Sequence, residues 1–249
     1  MTMPLWRLDD AEALAWLASL DTAAAEAVIT DPPYSSGGML RSDRTNTTRK
    51  KYARNDSRTA AADFHGDNRD ARSWAYWMTL WLSEAARVVK PGGICALFTD
   101  WRQLPAATDA LQAGGWVWRG VVPWIKPDAR HQRGRYAQAA EFLVWGTNGP
   151  RPIVGDTLPG YYIARAPRAA ENGPNKRQHL TQKPLDVVRS IVQIVEPGGL
   201  VIDPFAGAGT TLLAAAMEGR RAWGCENHAG HAAKARTRIA QALSQGVLL

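Results

Sequence analysis

Short apolar runs alternate along this chain with stretches in which apolar residues recur every three or four positions. The runs Ala27–Thr30, Ile94–Phe98, Glu141–Trp145, Leu200–Asp203 and Ala222–Glu226 read as buried strands, with Trp116–Ile125 as a sixth. Helical spacing marks Asp10–Leu20, where Ala13, Leu14, Trp16, Leu17 and Leu20 share a face. It also marks Ser73–Val89, with Trp74, Trp77 and Trp81, then Leu185–Val195, Thr210–Glu218 and His228–Leu243. "KPGG" (Lys90–Gly93) and "EPGG" (Glu196–Gly199) stop the second and third of these helices. Strands that are apolar throughout need cover on both faces. The order therefore predicts an α/β fold with a mostly parallel, doubly wound sheet and helices on both sides. The tryptophan stripe reads as helix core.

Two long polar segments break the alternation. Ser35–Arg72 carries Arg41, Arg44, Arg49, Lys50, Lys51, Arg54 and Arg58. Only Asp43 and Asp56 oppose these seven bases between 41 and 58, a local net charge of +5. The second, Gly146–Gln182, is rich in Pro, Gly and Arg. Loops this long in a compact domain are usually functional or disordered. Without an internal repeat or a separate linker, residues 1–249 are expected to form a single domain with these segments as embellishments.

Composition narrows the class of partner. The chain is 45% hydrophobic and 21% charged, as in globular proteins rather than disordered ones. A net charge of +7 and a pI near 9.7 favour a polyanion, nucleic acid first, although solubility charge alone would give the same balance. Cys95 and Cys225 sit in apolar runs and read as buried free thiols, with no disulfide framework and no zinc spacing. No metal site is expected. No apolar run is long enough to span a bilayer, and the first ten residues lack the order of a signal peptide; a reducing cytoplasm and no membrane partner are expected.

Gly198–Gly219 reads strand, glycine turn, helix. The turn Phe205-Ala206-Gly207-Ala208-Gly209 lets backbone approach a ligand closely, because glycine has no Cβ. The next strand ends on Glu226, and a carboxylate at that place can accept both hydroxyl protons of a ribose. Thr210 and Thr211 follow the glycines where a phosphate loop needs Lys, and Leu212 stands where a dinucleotide site prefers a third glycine. A nucleoside without phosphates fits better. S-adenosylmethionine is one, with a ribose for Glu226 and a charged amino-acid end to lie beside Asp203. A plain tight connection remains the competing reading.

Asp31-Pro32-Pro33-Tyr34 follows the first apolar strand, at the end where open α/β sheets place ligands. The exocyclic amine of a nucleobase is a poor nucleophile, since its lone pair is delocalised into the ring. Two acceptors aimed at its N–H bonds favour the pyramidal geometry and the positive charge that build during attack. The Asp31 side chain and the Pro32 carbonyl can serve as those acceptors. The prolines restrict the backbone around them, and Tyr34 offers a face for the base. A base in a duplex must first be extruded, at a cost of about a few kcal/mol, which basic loops gripping the flanking phosphates can offset. Alone, the motif could be a strand followed by a proline turn.

Together, the two motifs resemble those of the β-class DNA amino-methyltransferases, in which a D-P-P-Y-type motif comes first and an F-x-G-x-G motif comes last. The resemblance covers most of the chain. "LWRLDDAEALAWL" resembles the family's opening strand and helix, with Asp9 at the acidic position near the cofactor adenine; Leu8-Asp9 stands where the family often has Gly-Asp. "EAARVVKPGGICALF" resembles its central helix–strand unit, and "AEFLVWG" the strand before its target-recognition region, here residues 147–180. "HLTQKPLDVVRSIV" resembles the helix beside the cofactor, with Thr181, Gln182 and Lys183 at an N-terminus suited to the methionine carboxylate. "GCENHAGHAAKARTRI" resembles the ribose-binding unit, with Glu226 and Asn227.

The resemblance implies a Rossmann-like class I methyltransferase fold with inserted DNA-binding loops. S-adenosylmethionine would be held by Asp203, Pro204, Phe205, Gly207, Gly209, Thr210 and Thr211 together with the residues above. It implies direct in-line transfer to a flipped base in double-stranded DNA, with Asp31, Pro32, Pro33 and Tyr34 as the catalytic group. Within the class, an Asp-led motif leans to N6 of adenine and a Ser-led one to N4 of cytosine, so N6-adenine is expected and N4-cytosine is the alternative. Arg41, Arg44, Arg49, Lys50, Lys51, Arg54, Arg130, Arg133 and Arg135 are the expected phosphate contacts, and Gly155–Arg168 either reads sequence or packs as a hairpin. Cytosine C5 chemistry is excluded because neither cysteine follows a proline, and zinc-dependent deamination because no Cys-x-x-Cys is present. An inactive DNA-binding relic and RNA methylation are the remaining rivals. A homodimer, a separate restriction endonuclease, a phage or a solitary host role are all compatible with the chain.

Overall fold

The computed structural model describes residues 4–35, 69–129, 133–153, 155–167 and 182–244. These form eight strands in one sheet and six helices. In chain order they are β1 (Trp6–Asp10), α1 (Ala13–Ala18), β2 (Ala25–Thr30), α2 (Ala71–Val88), β3 (Val89–Thr99), α3 (Leu104–Ala113) and β4 (Val117–Ile125). There follow β5 (Ala140–Thr147), β6 (Tyr162–Ile163), α4 (Leu185–Val192), β7 (Leu200–Asp203), α5 (Thr210–Met217), β8 (Arg221–Glu226) and α6 (Ala229–Ser244).

The strands lie in the order β1-β8-β7-β2-β3-β5-β4-β6. From β1 to β3 every neighbouring pair is parallel. β5 runs antiparallel to both β3 and β4, so its N-terminal end lies at the carboxyl edge of the parallel strands. An apolar run such as Phe142–Val144 specifies burial but not direction, which is why the sequence does not reveal the reversal.

Successive side chains of a strand point to opposite faces, and here both faces are covered. Ala27, Ile29, Ile94 and Ala96 pack against α4, α5 and α6, whereas Val28, Cys95 and Leu97 pack against α1, α2 and α3. Burying a Leu- or Ile-sized side chain such as Leu97 or Ile202 stabilises the fold by about 1.5–3 kcal/mol. α2 starts where Asp70 accepts from the backbone of Arg72 at 3.1 Å and Ser73 at 3.0 Å, satisfying amides that an unfinished helix leaves open. It buries Trp74, Met78, Trp81, Leu82, Ala85 and Val88 along one stripe. Trp74 and Trp81 are thus core, as the spacing predicts, while Trp77 is only partly buried and does a second job described below.

Three differences from the sequence pattern have local causes. Lys90–Gly93 follows α2 but lies inside β3, where the pairing with β2 shifts register between Ala25 and Ala27. α3 begins on Leu104-Pro105, and the proline that masks it in the sequence is suited to a first turn. β1 alternates polar and apolar residues, as suits an edge strand; among the described residues it pairs with β8 alone. Cys95 and Cys225 are both buried free thiols, and burial pushes both thiols up, away from the reactive thiolate. Among the described residues no helix is long and apolar enough to cross a membrane.

Candidate active site

The sheet reverses its winding between β2 and β7: β2 leads through α2 to β3 on one side, and β7 leads through α5 to β8 on the other. Such a switch point opens a crevice at the carboxyl ends of the strands. Both sequence motifs end there. Thr30, the last residue of β2, donates its hydroxyl to Asp203 Oδ1 at 2.5 Å, and Asp203 is the last residue of β7. A cavity of about 560 Å³ opens above this contact, lined by Asp31–Tyr34 on one wall and by Asp203–Ala208 on the other.

On the first wall, Asp31 is clasped by two donors. Lys183 Nζ lies 2.5 Å from Asp31 Oδ2, and the Tyr34 hydroxyl lies 2.7 Å from Asp31 Oδ1. The Tyr34 hydroxyl is also 3.0 Å from Glu141 Oε2, so its one proton is shared between two carboxylates. Glu141, the second residue of the reversed strand β5, receives Lys126 at Oε1 (2.5 Å) and Lys183 at Oε2 (3.3 Å). Burial pushes Asp31 up from the ordinary carboxylate range, and the neighbouring Lys183 only partly offsets this. Burial would also raise Glu141, but Lys183 and Lys126 outweigh it and hold that carboxyl at about 2. Burial disfavours the Lys183 cation, yet Asp31 and Glu141 overcome that and raise it. Tyr34 is pushed well up by burial and by the two carboxylates, which keeps it a neutral donor. Behind this group, Trp74 Nε1 donates to the Pro33 carbonyl at 2.7 Å and pins the proline pair to α2.

On the second wall, the glycine turn is drawn to β8. Gly207 N donates to Glu226 Oε2 at 3.0 Å, and His228 N donates to Glu226 Oε1 at 3.0 Å. Each carboxylate oxygen keeps a second lone pair. Gly207 has φ +51°, and a Cβ there would meet only the Phe205 carbonyl, at 3.9 Å. Phe205 packs edge-on against Trp81 and Trp77, at 5.2 and 5.3 Å between centroids. Through Trp77, α2 thus supplies both core and cavity wall. Burial raises Asp203 to about 6, against bonds from Thr30, Thr211 and the Phe205 amide. Burial likewise raises Glu226.

The family model of N6/N4 DNA methylases matches residues 25–237. The chain belongs to that family. The methylase is 25% identical over 211 residues to the type II methyltransferase M.HindIII of Haemophilus influenzae, covering 66% of this chain and 68% of that protein. Its fold superposes on the crystal structure of an M1.HpyAVI–SAM complex with a TM-score of 0.66 at 24% identity, over 94% of this chain and 98% of that one. It superposes on the cytosine-N4-specific PvuII DNA methyltransferase with a TM-score of 0.70 at 14% identity, over 97% and 94%.

Most residues singled out in the sequence of the methylase meet at this cavity: Asp31, Pro32, Pro33, Tyr34, Gln182, Lys183, Asp203, Pro204, Phe205, Gly207, Thr210, Thr211, Glu226 and Asn227 all line it. Gly209 does not; it starts α5 at φ +74°, packed on Ile239. Asp9 does not line it either, because its carboxylate is taken by Trp16 Nε1 at 2.8 Å and by Arg7 at 2.9 Å. Ala11, Glu12 and Ala13 of the following turn face the cavity instead. Lys183 points its amine at Asp31 and Glu141, not at an open helix end. Arg133 and Arg135 are exposed and outside the cavity. Thr181, Arg41, Arg44, Arg49, Lys50, Lys51, Arg54 and Arg130 lie outside the described residues, as do most of the segments 35–72 and 147–180 in which the DNA grip and target reading were expected.

Sequence reasoning missed Glu141 and Lys126. Each stands at the end of an apolar strand with no partner near it in the sequence, and the antiparallel pairing of β4 with β5 brings the two together. It also missed Trp101, half-exposed at the cavity mouth with the Arg102 guanidinium 4.8 Å over its ring.

Proposed function

We propose that the methylase transfers a methyl group from S-adenosylmethionine to the exocyclic N6 of adenine in double-stranded DNA. The observation that carries this reading is the shared cavity, in which the Asp31–Tyr34 wall and the Asp203–Gly207 wall are joined by the Thr30–Asp203 hydrogen bond. The residues fit the donor. Gly207 leaves room for close backbone approach, Glu226 has lone pairs for two ribose hydroxyls, and Phe205, Thr210, Thr211 and Asn227 complete a wall of mixed polarity. S-adenosylmethionine supplies an electrophilic methyl group when bound.

The protein's part is to present the amine. Asp31 Oδ and the Pro32 carbonyl accept the two amino hydrogens of an extruded adenine, which favours a pyramidal nitrogen and the charge that gathers on it. Tyr34 and the two prolines hold the base in place, with Pro33 fixed by Trp74. The basic residues at 41–58, Arg130, Arg133 and Arg135 grip flanking phosphates, and 147–180 reads the target sequence. Residues 1–249 act as one catalytic domain in a reducing cytoplasm, where the DNA lies. The family model spans N6 and N4 enzymes, so N4 of cytosine is the second reading, and the leading Asp31 favours adenine.

Incubating the protein with labelled S-adenosylmethionine and unmethylated mixed-sequence duplex DNA, then digesting to nucleosides, tests both. N6-methyladenine is expected, N4-methylcytosine would establish the second reading, and unlabelled DNA would refute both.

A further inference from the structure

Glu141 lies outside both sequence motifs, yet it touches every donor that touches Asp31. Its Oε2 is the second acceptor for the Tyr34 hydroxyl at 3.0 Å and for Lys183 Nζ at 3.3 Å, the two groups that clasp opposite oxygens of Asp31. Its Oε1 is anchored by Lys126 at 2.5 Å, and Lys126 in turn lies over the Trp124 ring at 5.0 Å. The chain runs from the end of β4, through the start of β5, to the residues that follow β2 and precede α4. Lys126, Glu141, Lys183 and Asp31 alternate in sign and sum to zero. The side chains are 23, 17, 6 and 24% exposed, too sheltered for water to do this screening.

We propose that Glu141 is a positioning residue for methyl transfer: it holds Lys183 and Tyr34 in place and, by sharing Lys183, leaves Asp31 only loosely committed to that cation. This rests on the reading of Asp31 as acceptor for the target amine. Two consequences are electrostatic. With Glu141 charged, the Lys183 cation is divided between two carboxylates, and Asp31 retains the negative charge that meets the charge developing on the amine. With Glu141 neutral, Lys183 pairs with Asp31 alone, which weakens it as an acceptor and draws its titration to lower pH. The charged or titratable groups facing Asp31 are Lys183, Glu141, Tyr34 and Asp203, and those facing Glu141 are Lys183, Lys126, Tyr34 and Asp31. The part of α2 against this cluster is the neutral Trp74.

The experiment compares wild type, Glu141→Gln, Glu141→Ala and Asp31→Ala in single-turnover methylation of unmethylated duplex DNA across pH, with S-adenosylmethionine affinity measured separately. Both Glu141 variants should bind S-adenosylmethionine as wild type does and transfer roughly tenfold to a hundredfold more slowly. The acid limb of the rate should move to lower pH in both. Gln should recover part of the rate, since it still accepts from Tyr34 and Lys183, without restoring the limb. A Glu141 that only supports the fold would slow the reaction at every pH and leave the limb where it was; that result in both variants overturns the proposal. Retained transfer by Asp31→Ala would instead overturn the reading on which it rests.

Discussion

The hydroxyl of Thr30 lies 2.5 Å from Asp203 Oδ1, joining residues 173 positions apart at the floor of one cavity. The contact belongs to the sheet, since β2 and β7 are neighbours and both end there. It joins the Asp31–Tyr34 wall of the cavity to the Asp203–Ala208 wall. Thr30→Val keeps the shape and removes the donor, leaving a buried carboxylate oxygen short of a partner. That should cost about 1–3 kcal/mol of stability and weaken S-adenosylmethionine binding. Urea unfolding and calorimetric titration of the variant check both, and an unchanged affinity would mean that the contact is structural only.

Asp203 also makes stability depend on pH. Its ordinary value is 3.8 and burial raises it to about 6 in the fold, so between these values the folded state binds more protons than the unfolded one. Stability from this group is therefore greatest at acid pH and is lost as pH rises from about 4 to about 6. The loss amounts to about 3 kcal/mol at most. Asp31 and Glu226 shift in the same direction and Glu141 in the opposite one, so the comparison must be with Asp203→Asn. That variant should show a flatter stability curve over this window in urea unfolding at successive pH values. Parallel curves for the two proteins would remove Asp203 as the cause.

Trp74 reaches from the core of α2 to the Pro33 carbonyl, 41 residues back in the chain. Trp74→Phe keeps an aromatic side chain in the core but leaves that carbonyl without its indole donor. The expected result is a loss of about 1–3 kcal/mol in stability and a lower rate of transfer, with S-adenosylmethionine affinity nearly unchanged because Trp74 lies behind the Asp31–Tyr34 wall. Equal losses in affinity and rate would point to a general collapse of the cavity.

How much of this was legible beforehand divides along physical lines. Buried parallel strands announce themselves as short apolar runs, so β2, β3, β7 and β8 could be read, and with them the residues at their ends. The Asp31 and Asp203 motifs could be placed at one edge of the sheet because parallel strands share a carboxyl end. The edge strand β1 and the direction of β5 left no such signal. Asp9 fitted the family position, yet the nearby Trp16 indole captures its carboxylate, a contact that spacing does not report. Glu141 was hidden because its partners are Tyr34, 107 residues away, and Lys126, which becomes its neighbour only through antiparallel pairing.

Binding to DNA should weaken steeply with salt. Arg133 and Arg135 are exposed, and each phosphate that a basic side chain neutralises contributes about 0.9 to the slope of log K against log salt. The double variant Arg133→Ala/Arg135→Ala should therefore lower the slope by about 2 while leaving S-adenosylmethionine binding intact. Fluorescence anisotropy with a labelled duplex over a range of salt concentrations measures it. A wild-type slope in the double variant would remove these two arginines from the DNA face.

The two glycines of the late turn separate stability from ligand binding. Gly209 has φ +74°, and a Cβ there would lie 2.8 Å from Ile239 Cδ1 in the packed interface with α6. Gly209→Ala combines backbone strain with overpacking and should destabilise the protein by about 2–4 kcal/mol. Gly207 also has positive φ, +51°, but faces the cavity, and its added methyl would meet no protein atom nearer than 3.9 Å. Gly207→Ala should cost only about 1–2 kcal/mol of stability, from the backbone alone. If S-adenosylmethionine lies against this backbone as proposed, the added methyl would occupy its place and affinity should fall at least about tenfold. Thermal unfolding with and without S-adenosylmethionine reads both effects at once: Gly209→Ala lowers the midpoint in both conditions, whereas Gly207→Ala mainly removes the ligand-induced rise. If Gly207→Ala kept the full rise, the donor would have to sit elsewhere in the cavity.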